Sequence, residues 1–223
     1  MQSHAHRDRL LLVAGMPRSG STWLYNVIRL ALEDVIAGAQ IWSGWTEDLD
    51  RASGERTKLV KLHDFDEILA AEADIIIYSY RDIRDVIASS YRMWGTAPTV
   101  EHAQSLVSQF QHWYDRCNVL IRYDELIARP LQIVTRVTAA LGIHPDPAKI
   151  VERLRPLSSL PPESATDSYH RTTLYHRNHL THGGHVTWKN DVDAAVIRAI
   201  EVRFADWFKR YSYLPVKSDD RIQ

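Results

Sequence analysis

Among its 223 residues the chain has a single cysteine, Cys117. No intramolecular disulfide can form, and no thiolate cage is available to a metal. Long apolar runs are missing as well: the stretch 10–13 is far too short to span a bilayer. The polar start, MQSHAHRDR, carries no apolar signal core before Leu10. Charge of one sign is not in excess: 27 basic residues face 28 acidic ones, a formal net charge of −1. That balance argues against a nucleic-acid polyanion as a general partner, so any basic character that matters must be local. Internal repeats and long low-complexity stretches are absent too. Together these absences make a reducing, cytoplasmic setting away from membranes the expectation.

What is present describes an ordinary globular protein: 45% hydrophobic and 25% charged residues. The length predicts one domain, 1–223, large enough to bury a real core. Short apolar runs alternate with helical patterns, which predicts an α/β fold with a mainly parallel sheet flanked by helices. Strands are expected at 10–13, 57–62, 74–79 and 118–123. Apolar residues recur at helical spacing from Leu24 through Val35, predicting a helix over 21–36. Further helices are expected at 82–93, 99–115, 130–141 and 192–211. Pro130 would occupy the first turn of its helix and Gly142 would follow the end. Residues 156–189 show little periodicity and hold many of the 11 histidines, which predicts a long loop or lid. Disordered ends are expected at 1–8 and 216–223.

Between the first strand and first helix stands Gly15-Met16-Pro17-Arg18-Ser19-Gly20-Ser21-Thr22. Glycines allow a tight turn that presents backbone N–H groups, and the helix N-terminus adds positive partial charge, so the loop suits a phosphate. The spacing is that of a P-loop, but Ser21 stands where the kinase-type loop has its lysine. This argues against phosphoryl transfer from ATP and leaves Arg18 to supply the cation. A small-molecule kinase would also have to use Mg²⁺.

The string at 17–23, PRSGSTW, resembles the 5′-phosphosulfate loop of the PAPS-dependent sulfotransferases, usually PKSGTTW (PAPS is 3′-phosphoadenosine 5′-phosphosulfate). The resemblance implies a P-loop NTPase-like sulfotransferase fold. It also implies that Arg18, Ser19, Gly20, Ser21 and Thr22 grip the phosphosulfate while Trp23 stacks on adenine. A second stretch, 78–89, resembles the family's 3′-phosphate motif, which implies that role for Arg81 and Ser89. A guanidinium offers a phosphate a bidentate fork, and a helix sets the serine about two turns on.

Between these anchors, Lys61-Leu62-His63 matches the Lys-x-His of the family's cytosolic members. Sulfuryl transfer needs the acceptor to lose a proton, and a neutral imidazole suits that at physiological pH, so His63 is the expected general base. Carboxylates at Glu47, Asp48 or Asp50 are the alternative. Arg18 and Lys61 would stabilise the leaving phosphate.

The segment Arg122-Tyr123-Asp124-Glu125-Leu126, followed by Arg129-Pro130, resembles the family's RYEDL…P, which implies a donor-site role for Tyr123. Residues 181–189 resemble a degenerate RKGxxGDWK loop in which Gly183, Trp188 and Lys189 match. Thr181-His182 replaces its basic pair and Val186 its second glycine, leaving His182 or Arg177 as substitutes. His170, His176, His179, His182 and His185 lack ligand spacing, so no metal is expected and a loop lining the acceptor pocket is the reading.

The resemblance implies transfer of a sulfuryl group from PAPS to an acceptor hydroxyl or amine, releasing PAP. A binding module that holds PAPS or PAP without turnover would share the phosphate anchors. Trp42, Trp45, Tyr91, Trp94, Trp113 and Tyr114 are candidates to line the acceptor pocket. Small molecule, glycan and peptide acceptors all stay open, as does the oligomeric state.

Overall fold

A computed structural model describes residues 8–36, 40–162, 167–176 and 188–213. Strand β1 (Arg9–Gly15) has five consecutive buried residues at its carboxyl end, as a strand covered on both faces requires. It stands at the centre of a five-stranded parallel sheet with β2 (Ile41–Trp45), β3 (Thr57–Lys61), β4 (Ile75–Tyr80) and β5 (Val119–Arg122), in the order β2-β3-β1-β4-β5. From β1 the chain crosses to the edge strand β2, returns through β3 beside β1, and then takes β4 on the other side. A crevice at the carboxyl ends of the strands therefore opens beside β1, the usual ligand position in such sheets. Register places Val13 beside Lys61, Lys61 beside Trp45, and Gly15 beside Ser79. The relative placement of these five positions is thus set by pairing alone.

By contacts the chain divides into two compact units. The first comprises Met1–Arg81 and Gln109–Gly184 and contains the whole sheet. Helix α1 (Ser21–Val35) turns Leu24, Val27, Ile28, Ala31 and Leu32 onto Leu11, Val13, Leu59 and Ile77. Each such aliphatic side chain, fully buried, contributes about 1.5–3 kcal/mol. Also in this unit are α2 (Glu67–Glu72), and after β5 the helices α5 (Tyr123–Ala128), α6 (Pro130–Ala140) and α7 (Pro147–Leu154). Pro130 opens α6, and Gly142, just beyond its end, takes a left-handed φ of 73°, as the sequence implied.

The second unit comprises Asp82–Ser108 and His185–Gln223. It holds α3 (Ile83–Trp94), the first part of α4 (Val100–Tyr114), α8 (Ala194–Arg203) and α9 (Ala205–Arg210). Arg84 organises it: the guanidinium bonds Asp82 at 2.6 Å and Glu201, and lies over the rings of Trp188 and Phe208.

Three expectations change. The long helix at 192–211 is two helices, broken at Phe204 (φ −116°, ψ 27°). The break lets Ile197 and Ile200 pack from one helix and Trp207 and Phe208 from the next. Tyr123 opens α5 instead of ending a strand. The stretch 41–45, which was not among the expected strands, is an edge strand. Residues 163–166 and 177–187 of the expected lid, and the expected disordered ends apart from Asp8, lie outside the described residues. Among the described residues no helix is long and apolar enough to cross a membrane.

Candidate active site

The phosphate loop is built by alternating backbone handedness. Arg18 (φ 64°) and Gly20 (φ 87°) are both left-handed, and residues between such turns aim successive N–H groups into one concavity. The first intrahelical bond of α1 runs from Leu24 N to Gly20 O, so the N–H groups of Ser21, Thr22 and Trp23 precede it. They are the helix-start donors that suit an anion.

Ser19 performs a different task from the one its resemblance implied. Its hydroxyl is fully buried, donates to the Met16 carbonyl at 2.6 Å and lies 3.0 Å from Ser79 O and 2.7 Å from Ser79 Oγ. Met16 N also donates to Ser79 O at 3.0 Å. The hydroxyl therefore points into the sheet and staples the loop to β4.

Gly15 is required at the same junction. A Cβ there would stand 2.3 Å from Ser79 Oγ and 3.0 Å from both Ser19 Oγ and Ser21 Cβ. Gly15→Ala is expected to lower stability by about 1–3 kcal/mol through overpacking and strain, read as a fall in melting temperature.

Arg81 follows β4 and reaches back to the loop. Its Nη1 donates to Arg18 O at 3.4 Å, and its guanidinium carbon lies 4.2 Å from the centre of the Tyr123 ring. The two arginines inferred from separate motifs are thereby brought together. Trp23 and Tyr123 line one cavity of about 420 Å³ with Gly20, Leu126, Leu154 and Tyr175. That cavity is large enough for a nucleobase and its aromatic walls suit stacking.

Lys61 and His63 meet on the other side of the loop. Lys61 is completely buried, with Nζ 3.9 Å above the Trp45 ring and 3.2 Å from His63 Nε2. Burial pushes its ammonium down to about 7, against an opposing pull from the Glu47 carboxylate. His63 Nδ1 lies 2.7 Å from the Gly15 carbonyl. Since a carbonyl only accepts, Nδ1 carries the proton, and Nε2 of the neutral ring is the basic nitrogen.

A short hairpin closes this corner, with Tyr169 bridging His176. Helix α1 holds it through Asn26 Nδ2, which donates to Thr173 O at 2.7 Å, and Tyr25 OH, which donates to Thr172 O at 3.4 Å. Burial lowers the His176 pKa, and the cationic Lys61 and Arg18 add to the effect. In the sequence His176 was one histidine among many, and only the fold sets it near those two cations. His170 instead supports the turn, its Nδ1 accepting from Thr172 N and Thr173 N at 3.3 and 3.4 Å.

Other expected residues are placed separately. Ser89 is buried in α3 of the second unit. In that unit Trp188 N donates to Asp85 Oδ1 at 3.3 Å, and Lys189 is exposed. Gly183, Arg177, His179, His182 and His185 lie outside the described residues. Trp113 belongs to the core, fully buried, its indole donating to His63 O at 3.2 Å. Glu47 and Asp50 are exposed on a short 3₁₀ helix, Thr46–Arg51, and Asp48 pairs there with Arg51 at 2.8 Å. Among the described residues no group of three or more His, Cys, Asp or Glu could hold a metal.

A parallel sheet with a glycine-serine loop at its switch point and a second arginine beside that loop defines a P-loop-like α/β protein. The chain belongs to the sulfotransferase family, whose "Sulfotransferase domain" pattern matches residues 8–212. It is 29% identical over 128 residues to sulfotransferase 2A1 of Rattus norvegicus and 30% identical over 128 residues to that of Mus musculus. Each match covers 51% of this chain and 45% of the relative, so the chain aligns with under half the length of either. The fold is similar to that of mouse sulfotransferase SULT7A1 complexed with PAP, with a TM-score of 0.67 and 20% identity over 93% of this chain and 89% of the other. It is also similar to retinol dehydratase in complex with androsterone and inactive cofactor PAP, with a TM-score of 0.65 and 14% identity over 96% and 84%.

Proposed function

We propose that this chain transfers the sulfuryl group of PAPS to an acceptor hydroxyl and releases PAP. The observation that carries the reading is the meeting of three motifs at one edge of the sheet. The phosphate loop, Arg81 and the Lys61–His63 pair all stand at the carboxyl ends of β1, β4 and β3. Family membership and the PAP bound in two neighbours of similar fold support this donor.

The loop N–H groups of Ser21, Thr22 and Trp23, with Arg18, would hold the 5′-phosphosulfate. Arg81 would take the 3′-phosphate, with Ser89, Gly183 and Lys189 as further proposed contacts. Trp23 and Tyr123 would receive the adenine. In the reaction the acceptor oxygen forms a bond to sulfur as the bond from sulfur to the bridging phosphate oxygen breaks. The acceptor proton passes to His63 Nε2, whose orientation is set by the Gly15 carbonyl. Lys61 and Arg18 offset charge growing on the departing phosphate.

The test is sulfate transfer from PAPS by wild type and by His63→Ala, with PAP affinity measured in parallel. The variant is expected to bind PAP as wild type does and to lose at least about a hundredfold in rate. A wild type that binds PAP but transfers nothing to any acceptor would mark a binding module instead.

A further inference from the structure

Beyond Trp45, on the side away from the adenine cavity, lies a second cavity of about 390 Å³. Trp42, Asp48, Arg51, Asp167, Tyr169 and Arg171 line it. It adjoins the proposed reaction centre through a chain of ring contacts: Tyr169 stands edge-on to Trp45 at 6.3 Å, and Trp45 lies tilted 5.5 Å from His63. Resting on the sulfuryl-transfer reading above, we infer that this cavity takes a polyhydroxylated acceptor of sugar type, and that Asp48 and Asp167 select it.

Three observations carry this. The first is the pairing of charges. Asp48 pairs with Arg51 at 2.8 Å and Asp167 with Arg171 at 3.4 Å, so acceptor and donor groups alternate along the wall. A diol both gives and accepts hydrogen bonds and matches such a pair. The second is depth. The carboxylates are inward, 28% and 19% exposed, while their arginines reach outward at 71% and 68%. Asp167 Oδ2 is buried without a hydrogen bond; Arg171 approaches it at 3.4 Å and donates to the other oxygen, Oδ1, at 3.5 Å. An apolar alcohol laid over these groups would strip their water and return nothing, at about tenfold or more in affinity for each charged group left unsatisfied.

The third is the platform. Trp42 lies across Gly44, where a Cβ would stand 2.9 Å from the indole, so the strand is shaped to seat that ring at the cavity. Trp42 and Tyr169 supply aromatic surface of the kind that packs on the C–H faces of sugars. Tyr169 also registers the sign of the field. Desolvation raises its pKa, and the carboxylates of Asp48 and Glu47 add to that more than Arg171 and Arg51 remove. The volume falls at the small end of the range of about 300–1,000 Å³ for ligand pockets, which suits a compact acceptor.

Ligand-observed saturation-transfer NMR on the full chain tests the assignment. PAP is titrated first; a protein that takes no PAP fails the donor reading, and the acceptor experiment is then run without it. Methyl glucoside, lactose and chitobiose are compared with 2-naphthol and androsterone. Saturation is expected to reach sugar ring protons in wild type. It is expected to weaken about tenfold or more in Asp48→Leu or Asp167→Leu while PAP affinity holds. The two variants lie on different segments, so if one fails to fold the other decides. The inference is overturned if no sugar receives saturation, whatever the phenol and sterol do, or if sugar binding is unchanged in every folded variant.

Discussion

Replacing Arg18 and Arg81 together with glutamine is expected to weaken PAP binding by about 10³–10⁴-fold, measured by calorimetry. Each guanidinium would make charge-assisted hydrogen bonds to a phosphate, at about 1.5–3 kcal/mol per bond, and about 4–6 kcal/mol in total corresponds to that loss. The losses in the two single variants are expected to sum to more than the loss in the double variant. Arg81 Nη1 lies on the Arg18 carbonyl, so removing Arg81 also loosens the loop that carries Arg18, and the two changes couple. Salt dependence supplies a second readout, since fewer charged contacts flatten the fall of affinity with ionic strength. Unchanged PAP affinity in the double variant would remove the donor site from this edge of the sheet.

Lys61→Met is expected to move stability and activity in opposite directions. Methionine fills nearly the same volume without a charge, and Lys61 is wholly enclosed. Burial has brought its pKa from 10.5 to about 7. Between those two values the unfolded chain holds a proton that the folded chain has released, so wild-type stability rises with pH across that window. Below pH 7 both states are protonated and the full cost of the buried cation is present. The methionine variant is therefore expected to gain about 1–4 kcal/mol at pH 6.5, a gain that fades as pH approaches 10.5. Sulfate transfer should nevertheless drop about 10²–10³-fold, as for loss of one group that stabilises transition-state charge. Thermal melts at several pH values, with rate measurements beside them, decide both halves. A variant less stable than wild type at pH 6.5 would show that Lys61 is held by favourable partners rather than against its burial.

Much of the fold was legible because its informative segments are buried on both sides. The runs that became β1 and β4 leave little choice but a covered parallel strand, and the glycine-serine loop between β1 and α1 announces its task by position. Strand β2 was not legible: IWSGW carries a serine and a glycine, and an edge strand needs no continuous apolar run. The break at Phe204 escaped for a related reason. Apolar residues continue at helical spacing through it, and only tertiary packing shows that the two halves bury different sets. Within the site, position at the strand ends and the resemblance to family motifs pointed to Arg18, Arg81, Lys61 and His63. The sequence did not show that the Ser19 hydroxyl bonds to Met16 and Ser79, because a hydroxyl in such a loop carries no sign of its partners. Asp167 carried no signal, and His176 stood only as one of five histidines in a loop read as lining the acceptor pocket, since nothing in the chain between them and Lys61 marks their return to β2 and β3.

The staple made by Ser19 has a kinetic consequence. Because the loop is tied to the central strands through Met16 and Ser79, it has no separate way to melt. The amide protons of Met16 and Ser19, bonded to Ser79 O and Met16 O, should exchange with solvent as slowly as those of β1, through global opening alone. Heat or denaturant would then extinguish nucleotide binding in the same transition that dissolves the sheet, with no earlier stage at which a folded protein has lost its donor.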